Sequence, residues 1–283
     1  MLNTCYLDDA ALLALLRDDV PLGDLTTRSL GIGHAPGRAV FHARKPMRVC
    51  ASEEAARLFE LAGAQAVIRR ASGTFATEAT ELLEAEGPAA ALHEAWKVAQ
   101  TLMEYASGIA STAAAIVGAL HEAGLSVPVA CTRKNFPGTK AMAVKAVLSG
   151  GAVMHRLGLS ETLLVFAEHR VFMPDETAAS RIASLREHCP EKKLVAEATD
   201  IGDALYLARC GVDVLQLEKF TPAQVAECRD HLAREGLVPL LAAAGGVNAE
   251  NAVDYARAGA RLLVTSAPYF SRPADVKVRI TAI

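Results

Sequence analysis

The sequence lacks most features that betray a function at first sight. Lys and Arg number 29 against 32 Asp and Glu, a net charge of -3, with the two signs interspersed. There is no basic excess or stripe, which argues against a nucleic-acid partner and for a small molecule. The 6 cysteines, at 5, 50, 131, 189, 210 and 228, form no C-x-x-C pair, so neither a zinc site nor a redox motif is visible. Scattered thiols fit a reducing compartment. The N-terminus has no basic segment and carries Asp8, Asp9, Asp18 and Asp19, which argues against a secretory signal. No uninterrupted apolar run is long enough to cross a bilayer, so a cytoplasmic protein with no membrane partner is the expectation. No G-x-G-x-x-G follows a strand-like run, which weakens a dinucleotide-binding reading.

What is present is a large apolar fraction, 52% of 283 residues, enough for one large or two smaller domains. Residues 8–18 read as an amphipathic helix with Leu12, Leu13, Leu15 and Leu16 on one side, ended by Pro21 and Gly23. From 38 to 84 the pattern shifts to short β-like pieces, "RAVFHAR", "MRVCAS" and "QAVIRR". They surround a helix, "SEEAARLFELAG", that Ser52 is placed to cap. Residues 93–124 read as a long helical pair rich in small residues. Beyond 125, seven apolar runs recur: 127–132, 151–156, 162–167, 193–198, 212–218, 238–246 and 261–267. Helical stretches at 176–188, 200–209, 222–235 and 249–258 alternate with the later ones. Continuous apolar strands alternating with helices predict a buried parallel sheet, here an open (β/α) barrel. The expected division is an N-terminal α/β sandwich domain over 1–110 and a barrel over 111–269, with 270–283 returning to the first domain through "VKVRI".

In a barrel, chemistry sits at the C-terminal ends of the strands. Those ends carry Thr132, Arg133 and Lys134; His155 and Arg156; Glu197; Glu218; Gly245 and Gly246 followed by Val247 and Asn248; and Thr265, Ser266 and Ala267. Each has an ordinary reading, as a solvated pair, a packed histidine or a tight turn. Their coincidence at one end of the strands is what argues for a site. A Gly-Gly turn before a helix suits a phosphate. Two carboxylates suit ribose hydroxyls or a Mg²⁺ on a pyrophosphate. Arginines suit carboxylates and phosphates. The pattern therefore points to a phosphorylated sugar and an acidic partner. A Schiff-base aldolase would want a lysine on a barrel strand, whereas Lys134 and Lys219 lie at strand ends.

The segments "PLGDLTT" (21–27), "SGIAS" (107–111), "TRKNFPGTK" (132–140), "GGAVMHRLGLSE" (150–161) and "AAGGVN" (243–248), in this order, resemble the quinolinate (nicotinate-nucleotide) phosphoribosyltransferase family over nearly the whole chain. "TRKNFPGTKA", "HRLGLSETLLVF" and "TSAPYF" look most like a pyrophosphorylase-like branch associated with molybdenum transport. The resemblance implies an α/β sandwich followed by an open barrel, in a homodimer whose active site lies at the subunit interface. It also implies transfer of ribose 5-phosphate from phosphoribosyl pyrophosphate (PRPP) to a pyridine dicarboxylate, with Mg²⁺ and no organic cofactor, as a step of NAD biosynthesis.

By the same resemblance, Arg133, Lys134, His155 and Arg156 correspond to the dicarboxylate pocket, and Glu197 to a glutamate near the ribose. Gly245, Gly246 and Thr265 to Ala267 correspond to the 5′-phosphate loops. Lys134, Glu197 and Glu218 are the expected catalytic groups, with Glu197 and Glu218 also available to the metal. Four positions depart from the family pattern: Lys97 for an arginine, Phe166 for a pocket lysine, Glu218 for an aspartate and Ala244 for a serine. Phe166 removes a cation from a site meant for two carboxylates. A charged hydrogen bond of that kind is worth on the order of 1.5–3 kcal/mol, so PRPP binding is better supported than quinolinate binding.

Overall fold

The computed structural model describes residues 3–283. In chain order the elements are α1 (Asp9–Asp19), α2 (Leu25–Ser29), β1 (Pro36–Ala43), β2 (Met47–Arg48), α3 (Ser52–Ala62), β3 (Gln65–Ile68), β4 (Phe75–Ala76), β5 (Glu81–Pro88) and α4 (Ala89–Glu122). There follow β6 (Val129–Cys131), α5 (Lys140–Ser149), β7 (Val153–Met154), β8 (Leu163–Val165), α6 (Ala167–Arg170), α7 (Asp175–His188), β9 (Leu194–Ala198), α8 (Ile201–Arg209) and β10 (Val214–Glu218). The chain closes with α9 (Pro222–Arg234), β11 (Leu240–Ala244), α10 (Ala252–Ala258), β12 (Leu262–Thr265) and β13 (Val276–Ala282). Contacts group these into two compact units. One holds the chain up to Ala114 with 135–151 and 268–283; the other holds 115–134 with 152–267.

The first unit is an antiparallel sheet in the order β13-β1-β5-β3, covered by helices. β1 alternates buried and open positions, as a half-buried strand should, so that Ala39, Phe41 and Ala43 face the core. Phe41 meets Phe59 of α3 edge-to-face with centroids 5.7 Å apart. α1 is capped by Asp8, whose Oδ1 accepts from the Ala11 N–H at 2.9 Å.

Three expectations are corrected here. Ser52 does not cap α3; it is the helix's first residue, and the preceding Ala51 takes a left-handed φ of 69°. The loop at 70–72 holds this entry instead: Ser52 Oγ donates to the Arg70 carbonyl at 2.7 Å and the Ala51 N–H donates to Ser72 Oγ at 2.9 Å. The supposed helical pair at 93–124 is one helix of 34 residues. Gly108 is a contact point, not a break: a Cβ there would lie 2.4 Å from the Arg272 carbonyl oxygen. By length and composition α4 could cross a bilayer, yet Leu92, Ala95, Ala99 and Met103 lie in the first unit's core. Finally, 135–151, expected within the barrel, groups with the first unit.

Lys145 explains the last point. It is fully buried on α5, and its Nζ lies 2.9 Å from Glu53 Oε2, 2.6 Å from Glu54 Oε2 and 2.9 Å from the Thr4 carbonyl. The Tyr6 N–H donates to Glu54 at 2.7 Å and the Ser72 N–H to Glu53 at 3.0 Å. Charges so deeply buried persist only when fully bonded.

The second unit is a seven-stranded parallel sheet in the order β7-β6-β12-β11-β10-β9-β8. Its two edge strands, β7 and β8, do not pair with each other, so the barrel is open. Its apolar strands are those expected from the sequence, and the helices α7 to α10 connect them. The register aligns Glu197 with Gln216, Glu218 with Ala244, and Thr265 with Cys131, so the C-terminal ends finish close to one level.

Burial pushes the Glu53 carboxyl up, but bonds from Ser72 and Lys145 outweigh it and hold it below the usual value. Burial likewise opposes the Lys145 ammonium, but Glu54 and Glu53 hold it above the usual value. The network's stabilisation is therefore present above the unfolded glutamate value and below the unfolded lysine value. It is lost as pH falls through the depressed Glu53 value or rises through the raised Lys145 value. Lys145→Met strands two buried carboxylates and is expected to cost about 3–5 kcal/mol in urea unfolding near pH 7. The loss should shrink toward about pH 5, where the stranded carboxylates take up protons.

Candidate active site

The level strand ends surround a cavity of about 810 Å³ that lies wholly within the second unit. β6 delivers Thr132, Arg133 and Lys134, the first anchored by its N–H on the Thr265 carbonyl at 2.9 Å. β7 delivers His155 and Arg156, with the His155 N–H on the Cys131 carbonyl at 2.9 Å. β8 delivers Phe166, β9 Glu197 and β10 Glu218. β11 delivers Ala244, Gly245 and Gly246 with Val247 and Asn248, and β12 delivers Thr265, Ser266 and Ala267. Of the residues singled out from sequence, Lys97 alone is absent from this lining. It is exposed on α4 in the first unit, where its Nζ donates to Gln100 Oε1 at 3.0 Å and lies 4.1 Å from the Trp96 ring centroid.

Leu164, Glu168, Gln216 and Val264 also line the cavity and were not singled out. Gln216 carried a readable signal, since it precedes Glu218 by two positions in "VLQLE" and so shares its face of the strand. Glu168 had none, because α6 is a single short turn.

One wall is cationic. Arg156 is only 6% exposed, and burial, then the Arg133 charge, pull it below the usual arginine value without discharging it. Burial, then the Arg156 charge, also lower His155, so this imidazole is neutral at pH 7 and can accept or donate one hydrogen bond. The Arg156 guanidinium carbon lies 5.7 Å from the Phe166 ring centroid, within cation–π range. Behind it His169 stacks on Phe166 with centroids 5.7 Å apart and rings 12° from parallel, its Nδ1 accepting from the Phe166 N–H at 2.9 Å.

The lining also carries acidic residues, Glu168, Glu197 and Glu218. Burial raises the Glu197 carboxyl, and the Glu218 and Glu168 charges push the same way, while Gln216 and Lys134 oppose them. Gln216 Nε2 donates to Glu197 Oε2 at 2.7 Å, leaving Gln216 Oε1 buried without a partner. An unpaired buried acceptor costs about 1–3 kcal/mol, so Gln216 holds Glu197 in place at the expense of stability.

The floor is the turn after β11. Gly245 and Gly246 take φ of 85° and 83°, conformations that side chains rarely adopt. A Cβ on Gly245 would lie 2.7 Å from Lys219 Cγ and 3.0 Å from the Lys219 nitrogen. Asn248 Oδ1 accepts from the Glu250 N–H at 2.8 Å, Asn251 Oδ1 from the Asn248 N–H at 2.9 Å, and Thr265 Oγ1 donates to the Val247 carbonyl at 2.6 Å. α10 begins only at Ala252, so the expected helix start at 249 is corrected: a turn fills 249–251. The amides of 245–247, not a helix dipole, are the donors this turn offers to an anion.

No cluster of three or more His, Cys, Asp or Glu able to hold a metal ion occurs among the described residues. Glu197 and Glu218 nonetheless fit Mg²⁺, which is commonly held by one or two carboxylates with substrate phosphates completing its shell.

Two family profiles match the chain: "Quinolinate phosphoribosyl transferase, N-terminal domain" over residues 24–107 and "Quinolinate phosphoribosyl transferase, C-terminal domain" over 109–279. A Rhodobacter capsulatus protein provisionally named pyrophosphorylase ModD is 50% identical over 259 residues, covering 90% of this chain and 98% of that one. The human nicotinate-nucleotide pyrophosphorylase [carboxylating] is 28% identical over 236 residues, covering 83% and 78%. The crystal structure of nicotinate-nucleotide pyrophosphorylase from Ehrlichia chaffeensis superposes with a TM-score of 0.88 at 20% identity, covering 98% and 100%.

Gly245→Ala places a methyl against Lys219 and is expected to displace the turn. Binding of PRPP by calorimetry should weaken roughly ten- to hundredfold, the equivalent of losing one charge-assisted hydrogen bond to phosphate.

Proposed function

Because the chain belongs to the quinolinate phosphoribosyltransferase family across both of its domains, we propose that it transfers ribose 5-phosphate from PRPP to a ring nitrogen of an acidic heterocycle and releases pyrophosphate. This is the reaction of a pentosyltransferase of the pyrophosphorylase type. The observation that carries the reading is a single cavity lined by cationic residues, acidic residues and a Gly-Gly turn.

In this reading the amides of 245–247 and the hydroxyls of Thr265 and Ser266 anchor the 5′-phosphate. Arg133, His155 and Arg156 hold the acceptor's carboxylate and aim its nitrogen at C1 of the ribose. The nitrogen lone pair forms the new bond to C1 as the C1–O bond breaks, and the bonding electrons leave with pyrophosphate. Lys134 draws off the charge that gathers on the leaving group. Glu197 and Glu218 hold the ribose hydroxyls and stabilise the positive charge that develops on the sugar. Such catalysis is chiefly placement and preorganised electrostatics. Glu197 and Glu218 would also be the residues to hold Mg²⁺, which would supply neutralisation of phosphate charge. Glu197 can play its part only as the ion, which is the role supported by the bond from Gln216.

Phe166 in place of the family's lysine favours an acceptor that has diverged from quinolinate, in keeping with the link to molybdenum transport that the resemblance implies. Six free thiols fit the cytoplasm, with Cys50 pushed up to about 11 and Cys131 to about 12 by burial and so unreactive. A homodimer is the assembly that the resemblance implies, and Lys97 would then be free to serve the partner's cavity.

Arg133→Ala and Glu197→Ala are each expected to lower pyrophosphate release from PRPP and Mg²⁺ by roughly ten- to hundredfold or more. Intact turnover in both variants would end this assignment. PRPP binding without release, across a panel of heterocyclic acids, would favour a ligand-binding role on the same scaffold.

A further inference from the structure

We propose that Gln216 is a positioning residue for the sugar-binding part of this cavity: its amide clamps one oxygen of Glu197 and so aims that carboxylate at the ribose. The inference rests on the phosphoribosyltransferase reading of the site and adds to it a residue that acts through another.

The first ground is where Gln216 stands. The register sets it directly beside Glu197 on β9 and beside Ala242 on β11. It shares a strand face with Glu218, which lies two positions closer to the mouth. Glu197 is level with Gln216, so it is recessed by the same two positions and does not stand at the outermost tip. The other lining residues that belong to strand bodies, Leu164 and Val264, are apolar. Gln216 is only 5% exposed, and Glu197 is its polar neighbour in this recess.

The second ground is what holds Glu197. Its Oε2 accepts from Gln216 Nε2 at 2.7 Å, and this is the one hydrogen bond that Glu197 makes among the described residues. The charges around it pull in different directions: Glu218 and Glu168 repel it, and Lys134 attracts it. A glutamate side chain is long and rich in rotamers, so without a fixed donor these opposing pulls leave its carboxylate unaimed.

The third ground is that the fold gains nothing from Gln216 that an apolar residue would not supply. Its Oε1 is buried without a partner. An unpaired buried acceptor is destabilising, whereas a methionine of similar length fills the same space without one. Leu215 and Leu217, on the opposite face of the strand, are already fully buried. A residue that weakens the core and makes its one side-chain bond to a carboxylate in the cavity is kept for that carboxylate.

Gln216→Met tests this, with binding read by calorimetry on the full-length protein in the presence of Mg²⁺. PRPP should bind roughly tenfold more weakly, whereas pyrophosphate, which lacks the sugar, should bind as before. The urea midpoint should equal or exceed that of the unaltered protein, since the unpaired acceptor is gone. In a Glu197→Ala background the same substitution should leave PRPP affinity unchanged, because Gln216 acts only through Glu197. The proposal is overturned if Gln216→Met leaves PRPP affinity intact, weakens pyrophosphate equally, lowers the urea midpoint, or keeps its effect in the absence of Glu197. Failure of the unaltered protein to bind PRPP would overturn it together with the transferase reading. Pyrophosphate release is read separately. If the binding pattern holds but PRPP yields no pyrophosphate with any of a panel of heterocyclic acids, the transferase reading fails and the role of Gln216 stands.

Discussion

Everything at the candidate site depends on the register of the seven parallel strands. Because neighbouring strands in the second unit are hydrogen-bonded so that Glu197 lies beside Gln216, Glu218 beside Ala244 and Thr265 beside Cys131, their tips finish near one level. A slip of one residue in any strand would turn its polar tip from the cavity to the outside, since side chains alternate faces. The apolar bodies of the strands are closely packed in that register: Leu215 and Leu217 are fully buried and Leu241, Ala242 and Ala243 nearly so. Hydrophobic burial thus fixes the geometry of groups that are themselves polar and would not assemble unaided.

The site combines rigid and costly elements. The Gly-Gly turn is conformationally demanding, and Gln216 leaves an acceptor unpaired. Both are the local departures from stability expected where function constrains a fold. Opposed charge is the other theme. Cationic and acidic residues line one cavity without forming ion pairs with one another, which leaves both available to a substrate carrying phosphates and hydroxyls.

The sequence spoke clearly about strands and poorly about surfaces where the chain doubles back. The seven barrel strands were legible because each is a short, continuous apolar run with a polar tip, the pattern that a parallel strand buried on both faces imposes. The tips followed from the strands, so Arg133, His155, Arg156, Glu197, Glu218 and the Gly245–Asn248 turn could be placed together before any coordinates. Ser52 was misread because its hydroxyl donates to the Arg70 carbonyl and the Ala51 N–H before it is taken by the Ser72 hydroxyl, and no local pattern reports such distant partners. The stretch 93–124 was read as two helices although it is one, and its small residues serve close packing, as where Gly108 meets the Arg272 backbone. Glu168 was invisible because its position depends on where a four-residue turn of helix points.

The interleaving of the two units has a consequence of its own. The chain leaves the barrel after Lys134, enters the other unit for α5, and returns before His155. The two basic pairs of the cavity thus bracket a segment whose central lysine is satisfied only by glutamates from near the start of the chain. No single cut yields a barrel free of this dependence: an excised C-terminal half would carry Lys145 without Glu53 and Glu54, and an excised N-terminal half would carry the glutamates without their counter-ion. Recombination cannot shuffle either unit into another protein as one contiguous cassette, and the two have to be inherited together.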